Sequence, residues 1–245
     1  MEFEGKIALI TGAAVGIGRA TALQMAEGGA DLVLLDLNGE KLERVKAECA
    51  CFGRDVLTFA CDVSNEALVN EVVAKALAHF DRIDILVNNA ALWREFSPFT
   101  ALSTDSWRKL LDVNVLGTVY VTKAVLPQME QRGYGRVINV ASVAGVYGNK
   151  NMTHYSATKG AIIAFTKALA KEMTPKGVTV NAISPGTVSD SGDENIDAVT
   201  PNELSYAGRT GSDRENADLI CFLASDKAGY ISGQNIQIDG CRKRI

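Results

Sequence analysis

Histidine is scarce, at two residues, and the five cysteines, Cys49, Cys51, Cys61, Cys221 and Cys241, form no paired CxxC spacing. Together these gaps argue against a zinc site, so no metal is expected and the thiols read as the reduced residues of a cytoplasmic protein. The N-terminal "MEFEGKIALITG" is acidic and turns straight into a short apolar run, without the basic start and longer apolar segment of a secretory signal. No apolar run reads as long enough for a transmembrane helix, and no membrane partner is expected. Positive charge is also in short supply: the formal net charge is −4, and the only basic run, Arg242 to Arg244, reads as a solvated tail. That excludes the electrostatic footprint of a nucleic-acid-binding surface.

What the chain does have is 47% hydrophobic and 22% charged residues over 245 positions, enough for one sizeable core. A single domain over residues 1–245 is expected. Short β-branched or leucine-rich runs, "KIALIT", "DLVLLD", "VLTFACDV", "IDILVNN", "GRVINVAS", "VTVNAISPG" and "NIQIDG", supply seven candidate strands. Between them, Gly16 to Glu27, Gly39 to Ala50, Asn65 to His79, Thr104 to Met129, Tyr155 to Met173 and Asp213 to Ala224 repeat apolar residues at three and four, the helical period. This alternation predicts the α/β class: a three-layer, doubly wound Rossmann fold with a seven-stranded parallel sheet. Ser189 to Arg209 breaks the pattern just after a strand ends. Because ligands of such sheets bind beyond the carboxyl ends of the strands, this segment is expected to be a mobile lid over the substrate.

"TGAAVGIGRA" follows the first strand and opens a helix, so Gly12, Gly16, Ile17 and Gly18 offer unpaired amides and close backbone approach to a pyrophosphate. The second strand ends in Asp36, whose carboxylate can accept both hydroxyls of an adenosine ribose and would repel a 2′-phosphate. Val15, Leu37 and Asn38 supply no basic partner, so NAD is expected over NADP. A turn residue or a cap for the next helix is the other role open to Asp36. The third and fourth strands close in Asp62 with Val63 and in Asn88, Asn89, Ala90 and Ala91. These suit an adenine and ribose over the sheet edge, or equally plain turn chemistry.

In "THYSATKGAIIAF" Tyr155 and Lys159 are four residues apart and share one helix face, where an ammonium makes a phenol easier to ionise. Ser142 closes a strand thirteen residues before Tyr155. Taken together, TGxxxGxG, "NNA", "DVNVLG" around Asn114 and Ser142 ahead of "YSATK" resemble the short-chain dehydrogenase/reductase family of the classical type, from about Lys6 to Gly240. The resemblance implies an NAD(P)-dependent oxidoreductase acting on CH–OH groups. By it, Tyr155 would be the general acid or base, Lys159 would lower its pKa and hold the nicotinamide ribose, Ser142 would orient the substrate oxygen, and Asn114 would hold a relay water. Pro185, Gly186 and Val188 of "PGTV" would meet the nicotinamide amide. Three departures stand out: Asp190 where threonine is frequent, Ala91 in "NNAA", and Cys241 where a second glycine is usual.

By the same analogy the substrate pocket falls on Ala91, Leu92, Trp93, Val143, Ala144, Asn149, His154 and Tyr206. Trp93 suits a ring-shaped substrate or a packing plug, and His154, at a helix start, is expected to face solvent. The acidic lid face of Asp190, Asp193, Glu194, Asp197 and Glu203 disfavours strongly anionic substrates and an acidic carrier. The expected function is therefore NAD(H)-dependent interconversion of a secondary alcohol and a ketone on a small cyclic, polyol or steroid-like substrate. A 3-oxoacyl-(acyl-carrier-protein or CoA) reductase is the alternative, and a non-catalytic nucleotide-binding protein a third. The resemblance and the long apolar helices together predict a homotetramer.

Overall fold

The computed structural model describes residues 1–93, 95–189 and 195–243. Seven strands, β1 (Ile7–Thr11), β2 (Asp31–Asp36), β3 (Val56–Ala60), β4 (Ile85–Asn88), β5 (Gly135–Val140), β6 (Val178–Pro185) and β7 (Asn235–Ile238), form one sheet in the order β3-β2-β1-β4-β5-β6-β7. Every pairing is parallel. The helices are α1 (Gly16–Glu27), α2 (Gly39–Ala50), α3 (Glu66–Phe80), α4 (Thr104–Leu110), α5 (Thr118–Arg132), α6 (Val143–Tyr147), α7 (Thr153–Met173) and α8 (Asp213–Ala224). The predicted α/β class and seven-stranded parallel sheet are what the structure contains.

The strands read as unbroken apolar runs because both sheet faces are covered. Ile10, Leu34 and Val87 point into a core with Met25 and Leu223, while the alternating Leu9, Leu35 and Leu86 point into a second core with Val72 and Val125. Each such side chain, fully removed from water, contributes about 1.5–3 kcal/mol. The strand order runs outward in both directions from the neighbouring β1 and β4, which puts the switch point, and the crevice beyond it, at the carboxyl ends of those two strands.

Three expectations change. The helix read over Thr104 to Met129 is α4, a π-helical stretch Leu111–Gly117, and α5. This continuous segment, Thr104–Arg132, is long and apolar enough by length and composition to cross a membrane, contrary to the sequence reading; here α5 instead buries Val121, Val125 and Met129 against α3 and β4. Helix α6 escaped the periodicity search because five residues are too short to show a period. The basic end of the chain is no solvated tail. Arg242 and Lys243 are half-buried, with the Tyr206 N–H on the Cys241 carbonyl (3.0 Å) and the Lys243 N–H on the Leu204 carbonyl (2.9 Å); Arg244 lies outside the described residues.

The base of the expected lid is tied down. Ser189 N–H donates to the Gly211 carbonyl (3.0 Å) and Gly211 N–H to Thr187 (2.9 Å), while Asp190 to Glu194 lie outside the described residues.

A polar ladder crosses the sheet interior toward the site. The Asn88 amide donates to the Asn139 side-chain oxygen and to Thr122, and the Asn139 amide donates to Thr166 of α7, each at 2.9 Å. Asn139 is fully buried, so its removal orphans polar groups that water does not reach. Asn139→Ala is expected to lower unfolding free energy by about 2–4 kcal/mol, read as a lower denaturant midpoint at constant m.

Candidate active site

The nucleotide end is built by the turn between β1 and α1. Gly18 packs where a Cβ would run into the Gly12 carbonyl, so a bulkier residue cannot close this turn. Helix α1 starts at Gly16 with no side-chain cap and no acid in its first turn, whereas α2, α3, α4, α6 and α8 each carry a capping side chain. Its amides and helix dipole are therefore open to an anion. A glycine cradle and an uncapped helix start fit the pyrophosphate of a dinucleotide, with Gly12, Gly16, Ile17 and Gly18 as the residues that would hold it.

Asp36 is fixed by two backbone amides, Ala14 N–H at 3.0 Å and Asn38 N–H at 2.9 Å. It does not cap α2, because Asn38 does that by accepting from Lys41 N–H at 3.0 Å. The carboxylate thus sits between the glycine turn and the end of β2, each oxygen keeping acceptor capacity for a ribose hydroxyl. Asp62 accepts from the Ser64 N–H and hydroxyl, which is turn chemistry, and Val63 is buried beside Gly117. Asn89 spends its amide on the Thr11 and Gly12 carbonyls (3.1 and 2.9 Å), and the Thr11 hydroxyl accepts from the Asn89 and Ala90 amides. Asn89 therefore pins the glycine turn to β4. Thr11, its partner in the clamp, was missed because a strand-end threonine carries no motif of its own.

At the chemical end, Ser142 follows β5 and caps α6, accepting from Ala144 N–H at 3.1 Å. Its hydroxyl also lies beside the Tyr155 phenol. Lys159, one helical turn beyond Tyr155, is buried and donates to the Val140 carbonyl at 2.7 Å, its nitrogen 5.8 Å from the tyrosine ring centroid. Burial pushes the Lys159 ammonium down to about 8. Burial also raises the Tyr155 phenol, and the neighbouring Ser142 hydroxyl works the other way. In the free protein the ammonium is engaged with Val140, and desolvation is the larger influence on the phenol.

Asn114, in the π-helical stretch, accepts from Leu92 N–H (2.7 Å) and donates to the Leu92 carbonyl (2.9 Å) and Thr158 hydroxyl (3.1 Å). Its amide is committed to holding the loop after β4. Pro185 ends β6, Gly186 N–H donates to Ile238 (2.9 Å), and Val188 bridges to Gly211, so this segment runs along the same sheet edge.

The substrate candidates separate. Trp93 is half-exposed and edge-on to Phe96 at 6.3 Å. Tyr206 is exposed, Ala91 is half-buried, Ala144 is buried with its amide on Ser142, and Asn149 lies between α6 and α7. His154 does not face solvent. It is fully buried, 3.4 Å from Glu95 and 6.0 Å from the Trp107 ring, because that side of α7 packs on α4. Asp190 lies outside the described residues.

The model of the family described as short chain dehydrogenase matches residues 6–198. A 3-oxoacyl-[acyl-carrier-protein] reductase of Thermotoga maritima is 38% identical over 243 residues, covering 98% of each chain. A 2-dehydro-3-deoxy-L-rhamnonate dehydrogenase (NAD(+)) of Sphingomonas sp. is 35% identical over 98% of this chain and 96% of its own. Among solved structures, an NAD+-bound xylitol dehydrogenase superposes with a TM-score of 0.91 at 35% identity, covering 98% of this chain and 100% of that one.

The buried ammonium has a stability consequence. With the Lys159 pKa depressed in the fold, the unfolded chain binds more protons between about pH 8 and 10.5, so folding gains stability as pH rises through that window. Lys159→Met, which keeps the volume without the charge, is expected to be more stable than the parent at pH 7 by about 1–3 kcal/mol. Denaturant unfolding at pH 7 and pH 10 checks that the advantage shrinks at the higher pH.

Proposed function

The chain belongs to the short-chain dehydrogenase family of oxidoreductases, and from that premise we propose that it interconverts a secondary alcohol and a ketone with a nicotinamide dinucleotide, the ketone being a 3-oxoacyl thioester. The observation that carries the reaction class is the convergence of Ser142, Tyr155 and Lys159 at the carboxyl edge of the sheet, the edge from which the glycine turn also emerges. The substrate reading is supported by the similarity to 3-oxoacyl-[acyl-carrier-protein] reductases, including that of Thermotoga maritima. This reverses the order reached from sequence, which put a cyclic, polyol or steroid-like alcohol first. A second reading, an NAD-linked dehydrogenase of a polyol or sugar acid, is favoured by the placement of Asp36 and by similarity to an NAD(+)-dependent rhamnonate-derivative dehydrogenase and to the xylitol enzyme.

When bound, the nicotinamide supplies or accepts a hydride at the carbinol carbon. In the reducing direction Tyr155, protonated at neutral pH in its buried setting, donates its proton to the substrate oxygen as that oxygen gains charge. Ser142 hydrogen-bonds the same oxygen without changing charge. The resulting phenolate is stabilised by Ser142 and by the fixed positive charge of Lys159, whose pKa of about 8 leaves it mostly protonated at neutral pH. In oxidation Tyr155 phenolate takes the alcohol proton. A homotetramer belongs to the same reading, since Leu111 and Leu116 lie exposed on the long helical segment that would pair between copies.

Tyr155→Phe keeps the ring but not the proton carrier. It is expected to bind NADH with near-parental affinity by fluorescence titration and to lose roughly 10²–10⁴-fold in kcat for acetoacetyl-CoA reduction. Near-parental kcat would refute the mechanism.

The cofactor preference is expected to favour NAD and to reside in Asp36. The wild-type enzyme should prefer NADH over NADPH by about 10²–10³ in kcat/KM. Asp36→Ala should narrow that ratio by roughly tenfold or more. Equal use of the two cofactors by the parent would leave Asp36 a turn residue only.

A further inference from the structure

The docked end of the chain carries a charge with no carboxylate partner among the described residues. Beyond β7, Gly240 and Cys241 both take left-handed backbone angles (φ 61° and 58°), turning the chain back along Leu204 to Ala207. The turn brings Arg242 to the loop between α6 and α7, where its guanidinium donates to the Asn149 side-chain oxygen at 3.3 Å. Asn149 in turn donates its backbone N–H to the hydroxyl of Ser156, the residue after Tyr155. Every other described arginine has a carboxylate no farther than 3.6 Å away. Among the described residues Arg242 has none, and the one polar partner of its guanidinium there is a neutral amide, although the residue is half-buried.

A guanidinium presents five donors in a planar fork, and one bond to an amide leaves most of them open. The position matters as much as the vacancy. β7 runs parallel to β6, so the residues after Ile238 emerge at the same sheet edge as Ser142 and the segment after Pro185. Among the described acids of the segment after β6, Asp197 is bound to Arg214 at 2.5 Å, and Lys243 adds positive charge over Tyr206 at 5.4 Å.

We propose that Arg242, supported by Asn149, is an anion-recognition subsite at the mouth of the active site, which takes a carboxylate or phosphate remote from the reacting carbonyl. The preferred substrate is then an anionic ketone or alcohol, either a keto acid or a thioester of a phosphate-bearing carrier. This deepens the proposed ketone–alcohol activity and rests on it.

The test compares the parent, Arg242→Met and Arg242→Lys on matched ketones: acetoacetate and 5-oxohexanoate against their methyl esters, and acetoacetyl-CoA against the neutral acetoacetyl-N-acetylcysteamine thioester. The expected result is a parental preference for the anionic member of at least one pair. The ratio of kcat/KM, anionic over neutral, should drop roughly tenfold or more in Arg242→Met, chiefly through KM, with Arg242→Lys in between. Loss in the carboxylate pairs identifies a keto acid, and loss in the thioester pair identifies the carrier phosphates. A ratio unmoved by Arg242→Met, or an equal fall on anionic and neutral members, would overturn the proposal and leave Arg242 a fastener of the tail. A parent that turns over neutral ketones as well as anionic ones overturns this subsite but not the activity, whereas a parent inactive on all of them with NADH and NADPH overturns the activity and this subsite with it.

Discussion

A single buried bond, from the Lys159 ammonium to the Val140 carbonyl, sets the geometry on which the rest of the site depends. An ammonium withdrawn from water is costly unless it is compensated, and burial does push this one down to about 8. Its donor and acceptor sit on different elements, α7 and the last residue of β5, so the bond fixes the rotation of α7 about its axis. Tyr155, one turn earlier on the same face, is thereby aimed at Ser142, two residues past Val140. Gly145 makes the remaining approach possible. A Cβ there would lie 2.5 Å from the Lys159 carbonyl carbon, so only glycine lets α6, and the Ser142 that caps it, close on α7.

The nucleotide half is held by the same kind of device, short polar side chains that tie loops to strand ends. Thr11 and Asn89 lock the glycine turn to β4, and Asn114 locks the loop after β4 to both the π-helical stretch and Thr158 of α7. One extra residue per turn in a π-helix rotates the chain relative to an α-helix, which is how Asn114 reaches Leu92 from a segment whose other face packs on the core. Transfer between a cofactor and a substrate carbon is sensitive to misplacement on the scale of an ångström, so rigid cross-ties at the crevice serve chemistry more than global stability.

All seven strands and six helical segments could be read from sequence, because burial on both faces leaves long apolar runs and because strand and helix periods differ. The motifs that carry the nucleotide turn and the Ser142, Tyr155 and Lys159 constellation could be read for a similar reason: each depends on residue type at fixed local spacing. What could not be read depends on contacts between distant segments. Thr11 acts through Asn89, Gly145 through Lys159, and Arg242 through Asn149, and none of these pairs leaves a periodic trace. His154 misled for a related reason, since exposure at a helix start is decided by the neighbouring α4 and not by position in α7. The Val140 carbonyl that holds the Lys159 ammonium could not be read either, because spacing indicates that a cation is near but not which acceptor it meets.

The end of the chain shows how such distant contacts accumulate into a working surface. A left-handed angle at Cys241, where the residue has a Cβ, costs about 1–2 kcal/mol and persists only where surrounding contacts over-determine it. Here those contacts are backbone bonds from Tyr206 and Ala207 to Cys241 and Gly240, and from Lys243 back to Leu204. The strained turn and the stretch Leu204 to Ala207 are therefore one unit: loosening either releases the other. The same turn points Arg242 at Asn149. The acidic composition of the segment after β6 is thus only part of its electrostatic character, because one of its carboxylates is bound to Arg214 and its far edge is lined by the cations of the chain terminus. A charge pattern taken from one contiguous stretch predicts repulsion of anions. The folded surface, assembled from two stretches, offers an anion a guanidinium that has no counter-charge among the described residues.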